Sequence, residues 1–225
     1  MNAILKHAVK TLCLDPIRRA LFSNRRMRFP TFGADLNRRI LANSDYYRYA
    51  TLGLAAQRVA TEGIPGAFAE VGVFKGEMSR FLAPFCGSRN FYLFDTFAGF
   101  PEEHLEGRGK DTRFRDTNEE TVRGYFRDRP NVKLIKGMVP GTLEVAQAET
   151  FAFVLLDLDL YPPTLESLKF FYPRLSQGAY LILHDFNNPE SAHAIQRAVG
   201  EFFAGKPEQS IEIGDVWGSL MVRKV

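Results

Sequence analysis

The chain has few cysteines, no long apolar run and little net charge, and each of these absences excludes a class of protein. Its two cysteines among 225 residues, Cys13 and Cys86, lack the spacing of metal ligands and predict free thiols in a reducing compartment. No stretch approaches the ~18 uninterrupted apolar residues of a membrane span. Lys6 and Lys10 interrupt the first ten residues too early for a secretory signal. Together these absences predict a cytoplasmic protein.

The net charge of +3 is distributed unevenly along the chain. Residues 1–39 hold nine Lys and Arg against two Asp, a net charge of +7, so the remainder carries −4. Such a basic arm can meet a membrane surface, an anionic substrate or nucleic acid, although a solvated arm or a subunit contact is the simpler interpretation. Nucleic acid fits least, because no aromatic stacking platform is interleaved with the basic residues. We therefore expect a basic N-terminal arm over residues 1–42 and a main domain over residues 43–225.

Strand-like and helix-like segments alternate from residue 67 onward, and the alternation predicts the fold class. A helix over 43–62, capped by Ser44, precedes them and ends at Gly63–Gly66. The alternation favours an α/β fold with a doubly wound, mostly parallel sheet of Rossmann-like type, closed here by an antiparallel C-terminal hairpin. This seven-stranded outline is typical of class I S-adenosylmethionine (SAM) methyltransferases. The predicted strands are Ala67–Val73, Asn90–Phe94, Val132–Lys136, Phe151–Leu156, Ala179–Leu183, Ile211–Ile213 and Ser219–Val222, and the predicted helices are about 76–86, 118–128, 141–148, 163–175 and 189–204.

Acidic side chains follow two of the apolar runs at the point where each run stops. Asp157 and Asp159 follow Phe151–Leu156, and Asp185 follows Ala179–Leu183. Adjacent parallel strands lie about 5 Å apart and bring such residues together at the ligand-binding edge of the sheet.

A cluster of this kind needs a cation or a raised pKa, and a divalent cation also lowers the pKa of a bound hydroxyl. Asp157 and Asp185 are the first candidates as Mg²⁺ ligands and for handing on a proton. Asp159 is a third ligand or the general base. His184 is a metal ligand, a base or a packed histidine.

The segment from Glu70 to Gly76 follows the first predicted strand and opens a helix. Gly72 permits a tight turn and close approach of a ligand, and Gly76 permits the helix to start against the strand. A third Gly for a dinucleotide is missing, which disfavours a nicotinamide-dependent oxidoreductase. Glu70 suits the ammonium group of a methionine moiety. Ser79, in the next helix, is a weaker candidate contact for the ligand carboxylate.

Asp95 ends the second predicted strand 23 residues after Gly72. That offset suits a carboxylate that accepts hydrogen bonds from two ribose hydroxyls. Thr96 belongs to the same candidate site, and Gly137, after the third strand, gives backbone access beside an adenine. A turn cap is the alternative role for Asp95.

Several stretches in order resemble the macrocin O-methyltransferase family, class I enzymes that methylate sugar hydroxyls of natural products. The resemblance covers roughly residues 43–200. Its motifs are Ala60–Gly66, Glu70–Gly76, Asp95–Pro101, Lys136–Leu143, Asp157–Tyr161, Thr164–Leu168, Phe171–Leu175 and Gly178–Asp185.

The resemblance implies SAM as donor, a sugar or other polyhydroxylated small molecule or glycan as acceptor, and a homo-oligomer. It also implies Mg²⁺ bound by Asp157 and by an acidic pair after the next strand. This chain departs there, because His184 and Asp185 replace the two acids, and imidazole suits Zn, Fe or Ni better than Mg²⁺. Leu158 likewise replaces a small residue. The rival hypothesis is a non-catalytic glycan- or membrane-docking module. Acceptor specificity is expected in the polar loop Pro101–Asn118 and in the N-terminal arm.

Overall fold

A computed structural model describes Phe29, residues 31–107 and residues 109–225. The chain divides into two units, Met1–Asn43 and Ser44–Val225. In the first unit, helix α1 (Ala34–Ala42) carries ion pairs from Arg38 and Arg39 to Asp35. The basic residues up to Arg28, and Cys13, lie outside the described residues, so the role of the arm stays a prediction.

The second unit is built on a seven-stranded sheet in the order β3-β2-β1-β4-β5-β7-β6. Strands β1 to β5 run parallel to one another, whereas β7 pairs antiparallel with both β5 and β6. The predicted Rossmann-like fold is therefore confirmed. The strands are β1 Ala67–Val71, β2 Phe91–Asp95, β3 Val132–Lys136, β4 Phe151–Leu156, β5 Leu175–Leu183, β6 Ser210–Ile213 and β7 Ser219–Arg223.

Helices and short 3₁₀ turns connect the strands. The helices are α2 Tyr46–Thr61, α3 Glu77–Cys86, α4 Glu119–Gly124, α5 Tyr161–Phe171 and α6 Ala194–Phe203, and the 3₁₀ turns are Glu102–His104, Gly141–Ala146, Tyr172–Arg174 and Pro189–Ser191. Within the part of the chain that the structure describes, no helix combines the length and apolar character needed to cross a bilayer. Cys86 is a buried free thiol at the end of α3.

Two details of the helix prediction were wrong. Helix α2 is capped by Asp45 rather than Ser44, because the Asp45 carboxylate accepts a hydrogen bond from the Arg48 backbone N–H at 3.3 Å. The segment predicted as a helix over 141–148 is a 3₁₀ turn that begins directly after Pro140. Leu143 N–H donates to Pro140 O at 2.9 Å and Gln147 N–H donates to Glu144 O at 3.1 Å, which is the i→i−3 pattern of a 3₁₀ turn.

The centre of the sheet explains why the apolar runs end as they do. Every residue of β1 and β4 is buried, as expected for parallel strands covered on both faces. The β4–β5 register pairs Leu156 with Leu183, so Asp157 and His184 leave the sheet side by side. This ladder is irregular between Phe151 and Phe153, where β5 advances from Leu175 to Tyr180.

Candidate active site

The turn after β1 lies against the end of β4, and this contact explains the first glycine of the motif. Gly72 has φ +92°, and a Cβ built on it would lie 1.8 Å from the backbone oxygen of Asp157. The Asp157 N–H donates to Val71 O at 2.8 Å and so closes the two strand ends together. Gly76 has φ +75° at the N-cap of α3, where a Cβ would lie 3.0 Å from Val122 Cγ1. Both glycines are required by the packing of the turn.

Glu70 is a buried acid beneath this turn. Its side chain is 1% exposed, and Ser79 Oγ donates to Glu70 Oε2 at 2.6 Å. Burial raises the pKa of Glu70 to about 8, with the Asp157 charge adding to the rise and Ser79 and Arg48 opposing it. The carboxyl is therefore mostly neutral at pH 7 in the ligand-free protein. The Ser79 hydroxyl, predicted to contact a ligand carboxylate, here holds Glu70.

Asp95 organises the same turn from β2. Its Oδ2 accepts from the backbone N–H groups of Val73 at 2.7 Å and Phe74 at 2.8 Å, and its Oδ1 accepts from Phe97 N–H at 2.6 Å. The carboxylate thus connects β2 to the Gly72 turn on the side where a ribose was predicted.

Thr96 and Gly137 lie beside Asp95 at the edge of the sheet. Thr96 Oγ1 donates to Gly99 O at 2.8 Å, and Gly137 N–H donates to Asp95 O at 2.9 Å. Gly137 has φ +140°, a conformation that L side chains rarely adopt. The structure therefore gathers the predicted donor-site residues along the ends of β1, β2 and β3.

Asp157 is held by two cationic partners. Its Oδ2 lies 2.5 Å from Arg48 Nη2, and its Oδ1 lies 3.1 Å from His184 Nδ1. The same His184 Nδ1 lies 3.0 Å from Asp185 Oδ1, but only the contact to Asp157 has hydrogen-bond geometry. Asp157, His184 and Asp185 thus present three potential metal-ligand atoms within 4.8 Å of one another.

The protonation of this cluster follows from burial and mutual charge. Burial acts to lower the pKa of His184, but Asp157 and Asp185 outweigh it and raise the pKa to about 10. Burial acts to raise the pKa of Asp157, but His184 and Arg48 hold it well below its usual range. The pKa of Asp185 is also lowered, since His184 and Asp159 more than offset its burial. In the metal-free protein the imidazole carries a proton between two carboxylates.

Asp159 lies next to this cluster in an unusual backbone conformation. Its φ is +58°, which is uncommon for a residue with a side chain, and the residue is buried. Burial, followed by a hydrogen bond with Asp185, raises the pKa of Asp159 well above its ordinary value, and Arg113 acts in the opposite direction. The structure therefore brings Asp159 to the metal-ligand candidates, as predicted from its position two residues after Asp157.

The loop predicted to shape the acceptor site contacts the Gly72 turn directly. Thr117 Oγ1 donates to Phe74 O, and Lys75 pairs with Asp116. The Phe74 and Phe114 rings meet edge to face with centroids 5.3 Å apart. Arg108 in this loop lies outside the described residues. These contacts connect the Gly72 turn to the loop, while the acceptor role of the loop stays a prediction.

Sequence reasoning missed three residues around the cluster. Arg48 lies 109 residues before Asp157, and no local motif connects the two. Asp45 and Asp215 were also missed: one carboxylate oxygen from each, and one ring nitrogen of His184, lie within 4.8 Å of one another. Of these three residues, only Asp45 carried a signal in the sequence, because Asp is a residue type that commonly caps helices.

Comparison with known proteins gives a family and several relatives. The sequence model of the macrocin-O-methyltransferase (TylF) family matches residues 22–213. An 8-demethyl-8-(2,3-dimethoxy-alpha-L-rhamnosyl)-tetracenomycin-C 4'-O-methyltransferase from Streptomyces olivaceus is 26% identical over 182 residues, 73% of this chain and 70% of that protein. A demethyldecarbamoylnovobiocin O-methyltransferase from Streptomyces niveus is 26% identical over 207 residues, 83% of this chain and 79% of that protein.

Solved structures share the fold. The O-methyltransferase NovP superposes with a TM-score of 0.66 at 22% identity, covering 96% of this chain and 99% of that chain. The calicheamicin methyltransferase CalS11 superposes with a TM-score of 0.65 at 18% identity, covering 92% of this chain and 90% of that chain. The relatives and structures named here are enzymes, and the docking-module alternative finds no support among them.

Proposed function

The chain belongs to the macrocin O-methyltransferase family, and we propose that this SAM-dependent enzyme methylates a hydroxyl of a sugar or other polyhydroxylated small molecule. The observation that carries the proposal is the meeting of two groups of residues at one edge of the sheet. The Gly72 turn over Glu70 and the Asp157–His184–Asp185 cluster lie at the ends of adjacent strands, joined by the Asp157–Val71 hydrogen bond of 2.8 Å. The name of the Streptomyces olivaceus relative gives a rhamnosyl-tetracenomycin methylated at a 4' oxygen, which supports a sugar hydroxyl as the target.

The donor pocket fits SAM by the charge and hydrogen-bonding capacity of its residues. Glu70 is a buried carboxyl that gains a counter-ion when an ammonium group arrives, with Ser79 fixing its orientation. Asp95 has carboxylate lone pairs for ribose hydroxyls beyond those used by the turn. Gly72 and Gly76 let the turn pack against the Asp157 backbone and the Val122 side chain. Thr96 and Gly137 complete the proposed lining, and Asp157 closes it on the side of the reacting group.

The acidic cluster also fits a divalent ion. Asp157 Oδ1, His184 Nδ1 and Asp185 Oδ1 converge, and Asp185 Oδ1 is buried without a hydrogen-bond donor among the described residues. Arg48 binds the other oxygen of Asp157 and leaves the cluster-facing oxygen in place. When bound, a divalent ion lowers the pKa of an acceptor hydroxyl and fixes its direction.

We assign proton removal to Asp159, which lies beside these ligands. The acceptor oxygen forms its bond to the methyl carbon as the carbon–sulfur bond breaks, and the electron pair of that bond stays on sulfur. The hydroxyl proton passes to Asp159 in its ionised form, and the protonated Asp159 then donates a hydrogen bond to the Asp185 carboxylate, in line with the raised pKa of Asp159. Arg48, paired with the other oxygen of Asp157, helps keep Asp157 ionised throughout.

The proposal is tested with S-adenosylhomocysteine calorimetry and with labelled SAM. The acceptors named for the two relatives make a defined panel: the tetracenomycin rhamnoside and demethyldecarbamoylnovobiocin. We expect S-adenosylhomocysteine to bind and methyl label to enter a sugar hydroxyl of at least one compound. Asp157→Asn should lose turnover and keep S-adenosylhomocysteine binding, whereas Asp128→Asn, at an exposed acid away from the site, should keep both. A chain that binds no S-adenosylhomocysteine would contradict the proposal.

A further inference from the structure

We propose that the metal site selects a first-row transition ion, such as Fe²⁺, Co²⁺, Ni²⁺ or Zn²⁺, over Mg²⁺. His184 supplies a nitrogen ligand through Nδ1, and Asp45 and Asp215 hold the imidazole from its other side. This inference rests on the proposed function and specifies which ion serves it.

A single ring nitrogen faces two carboxylate oxygens in this cluster. His184 Nδ1 lies 3.1 Å from Asp157 Oδ1 and 3.0 Å from Asp185 Oδ1. Nδ1 carries at most one hydrogen and can satisfy only one of them, which leaves Asp185 Oδ1 buried without a hydrogen-bond donor in the described chain. Neighbouring ligands of an octahedral ion with bonds of about 2.1 Å lie about 3.0 Å apart. One ion in contact with all three atoms satisfies every one of them.

The ligand types determine which ion this is. Mg²⁺ is a hard cation that takes oxygen ligands and keeps several waters. Imidazole raises affinity for the later first-row ions, which follow Fe²⁺ < Co²⁺ < Ni²⁺ in their preference for nitrogen. Asp157 and Asp185 accept either class of ion, so His184 is the residue that discriminates between them.

The other face of the imidazole points to a second pair of acids. Because Nδ1 faces Asp157 and Asp185, we assign Nε2 to the side where Asp45 and Asp215 each place an oxygen within 4.8 Å of the ring nitrogen. Nε2 is buried and lacks a hydrogen-bond partner among the described residues. A metal-bound histidine commonly donates its second N–H to a carboxylate, which fixes the tautomer and makes the ligating nitrogen more basic.

The two acids differ in what holds them. Asp215 is fixed by the Ser219 N–H at 2.8 Å and by Ser219 Oγ at 2.5 Å, and it retains further lone pairs. Asp45 caps α2 by accepting from the Arg48 N–H. A bridging water or a small rotation of the Asp45 side chain closes the remaining distance to Nε2. The proton held at Nε2 leaves the Nδ1 lone pair for the metal.

The first experiment compares metal affinities by calorimetry on the full chain after chelator treatment. We expect Co²⁺ to bind at least about tenfold more tightly than Mg²⁺. His184→Asp should lower the ratio of the Mg²⁺ to the Co²⁺ dissociation constant by about tenfold or more. His193→Asp, an exposed control with the same chemical change, should leave that ratio unchanged. The proposal is overturned if the native chain binds neither ion, binds both equally, or keeps its ratio in His184→Asp.

The second experiment observes the imidazole directly and needs no variant that must fold. In the NMR spectrum of the Co²⁺-loaded chain, a ligating histidine gives a strongly shifted signal from its other N–H that disappears in D₂O. We expect one such signal in the native chain and in His193→Asp, and none in His184→Asp. A Co²⁺-loaded native chain without the signal overturns nitrogen ligation by His184.

The outer carboxylate is tested with Asp45→Asn, which keeps a side-chain oxygen to cap α2 but removes the charge. We expect Co²⁺ affinity to fall about 10–100-fold and exchange of the shifted N–H to accelerate. Asp128→Asn, at an exposed acid outside the site, serves as the matched control. An unchanged Co²⁺ affinity and an unchanged N–H exchange rate in Asp45→Asn would overturn the proposal that Asp45 holds His184 Nε2.

S-adenosylhomocysteine binding distinguishes a failure of the metal assignment from a failure of the proposed methyl transfer. A chain that binds S-adenosylhomocysteine but shows no preference for Co²⁺ refutes the metal assignment and leaves methyl transfer intact. A chain that fails to bind S-adenosylhomocysteine refutes the proposed function, whatever the metal titrations show.

Discussion

Arg48 and Asp157 form an ion pair of 2.5 Å between side chains that are only 16% and 22% exposed. Removing one partner of such a pair leaves the other charge poorly solvated. We expect Arg48→Met to lower the free energy of unfolding by about 3 kcal/mol, and Arg48→Lys by less. Urea denaturation of the metal-free protein at pH 7 measures both.

Arg58→Met is the control for that prediction, since it removes an exposed partner of Glu62 on the same helix. An exposed i,i+4 pair contributes about 0.3–0.5 kcal/mol. Equal losses of unfolding free energy in Arg48→Met and Arg58→Met would show that the buried Arg48–Asp157 pair stabilises the fold no more than an exposed pair does.

Gly72 makes the closest backbone approach in the site. A Cβ there would lie 1.8 Å from Asp157 O, and the φ of +92° is strained for any other residue. We expect Gly72→Ala to lose at least about 3 kcal/mol of stability or to fail to fold. Gly200→Ala, in α6 with nothing within 4 Å of the added Cβ, should gain about 0.5–1 kcal/mol. Thermal unfolding of both variants measures whether the close contact between Gly72 and the Asp157 backbone determines stability.

Glu70 predicts proton release when the ligand binds. With a folded pKa raised to about 8, the carboxyl is roughly 0.9 protonated at pH 7, and a bound ammonium group favours the ionised form. S-adenosylhomocysteine binding at pH 7 should therefore release up to about 0.9 proton, and at pH 9 only about 0.1. Calorimetry in buffers of different ionisation enthalpy measures the number. Glu70→Gln should bind more weakly and show no part of this release; equal release in that variant would point to another group.

The same shift makes stability depend on pH. Since the folded pKa of Glu70 lies above the unfolded value, its contribution is fully present below about pH 4.5 and fades as pH rises towards 8. Relative to Glu70→Gln, the ligand-free native chain should lose at most about 1.4 kcal/mol per pH unit over that window. Parallel stability profiles for the two proteins would contradict the buried, neutral Glu70.

Asp159→Asn tests the assignment of the base. We expect kcat to fall about 10²–10⁴-fold with little change in S-adenosylhomocysteine affinity, because the amide keeps the shape but accepts no proton. Activity assays with labelled SAM measure the loss, with Asp128→Asn as the control for an exposed acid outside the site. Turnover within about twofold of the native chain would place the base elsewhere.

The sheet and part of the site could be predicted because short, continuous segments of the sequence determine them. Phe151–Leu156 ends in Asp157, and a fully apolar run of six fixes both the buried strand and the point where a polar side chain emerges. The Glu70–Gly76 motif likewise gives a strand, a turn and a helix in seven residues. The homo-oligomer implied by family resemblance stays a prediction.

The rest depends on tertiary contacts that leave no local pattern. Arg48 lies on helix α2, whose periodicity indicates only that a polar residue is tolerated at this position. Its partner Asp157 follows the distant strand β4. Ser44 and Asp45 are adjacent and both can cap a helix; only the backbone path selects Asp45. Asp215 reaches His184 because the hairpin pairs β7 with β5, a register no short window contains.

The irregular rung between Phe151 and Phe153 has a consequence for how the protein tolerates change. It divides β5 into an entry half near Leu175 and an exit half that resumes regular pairing at Tyr180. Ser176–Gly178 has no partner in the β4–β5 register, so a length change there meets the regular ladder four residues before His184. Since Gly178 N–H donates to Lys224 O at 2.8 Å, the same change also reaches the residues that follow β7.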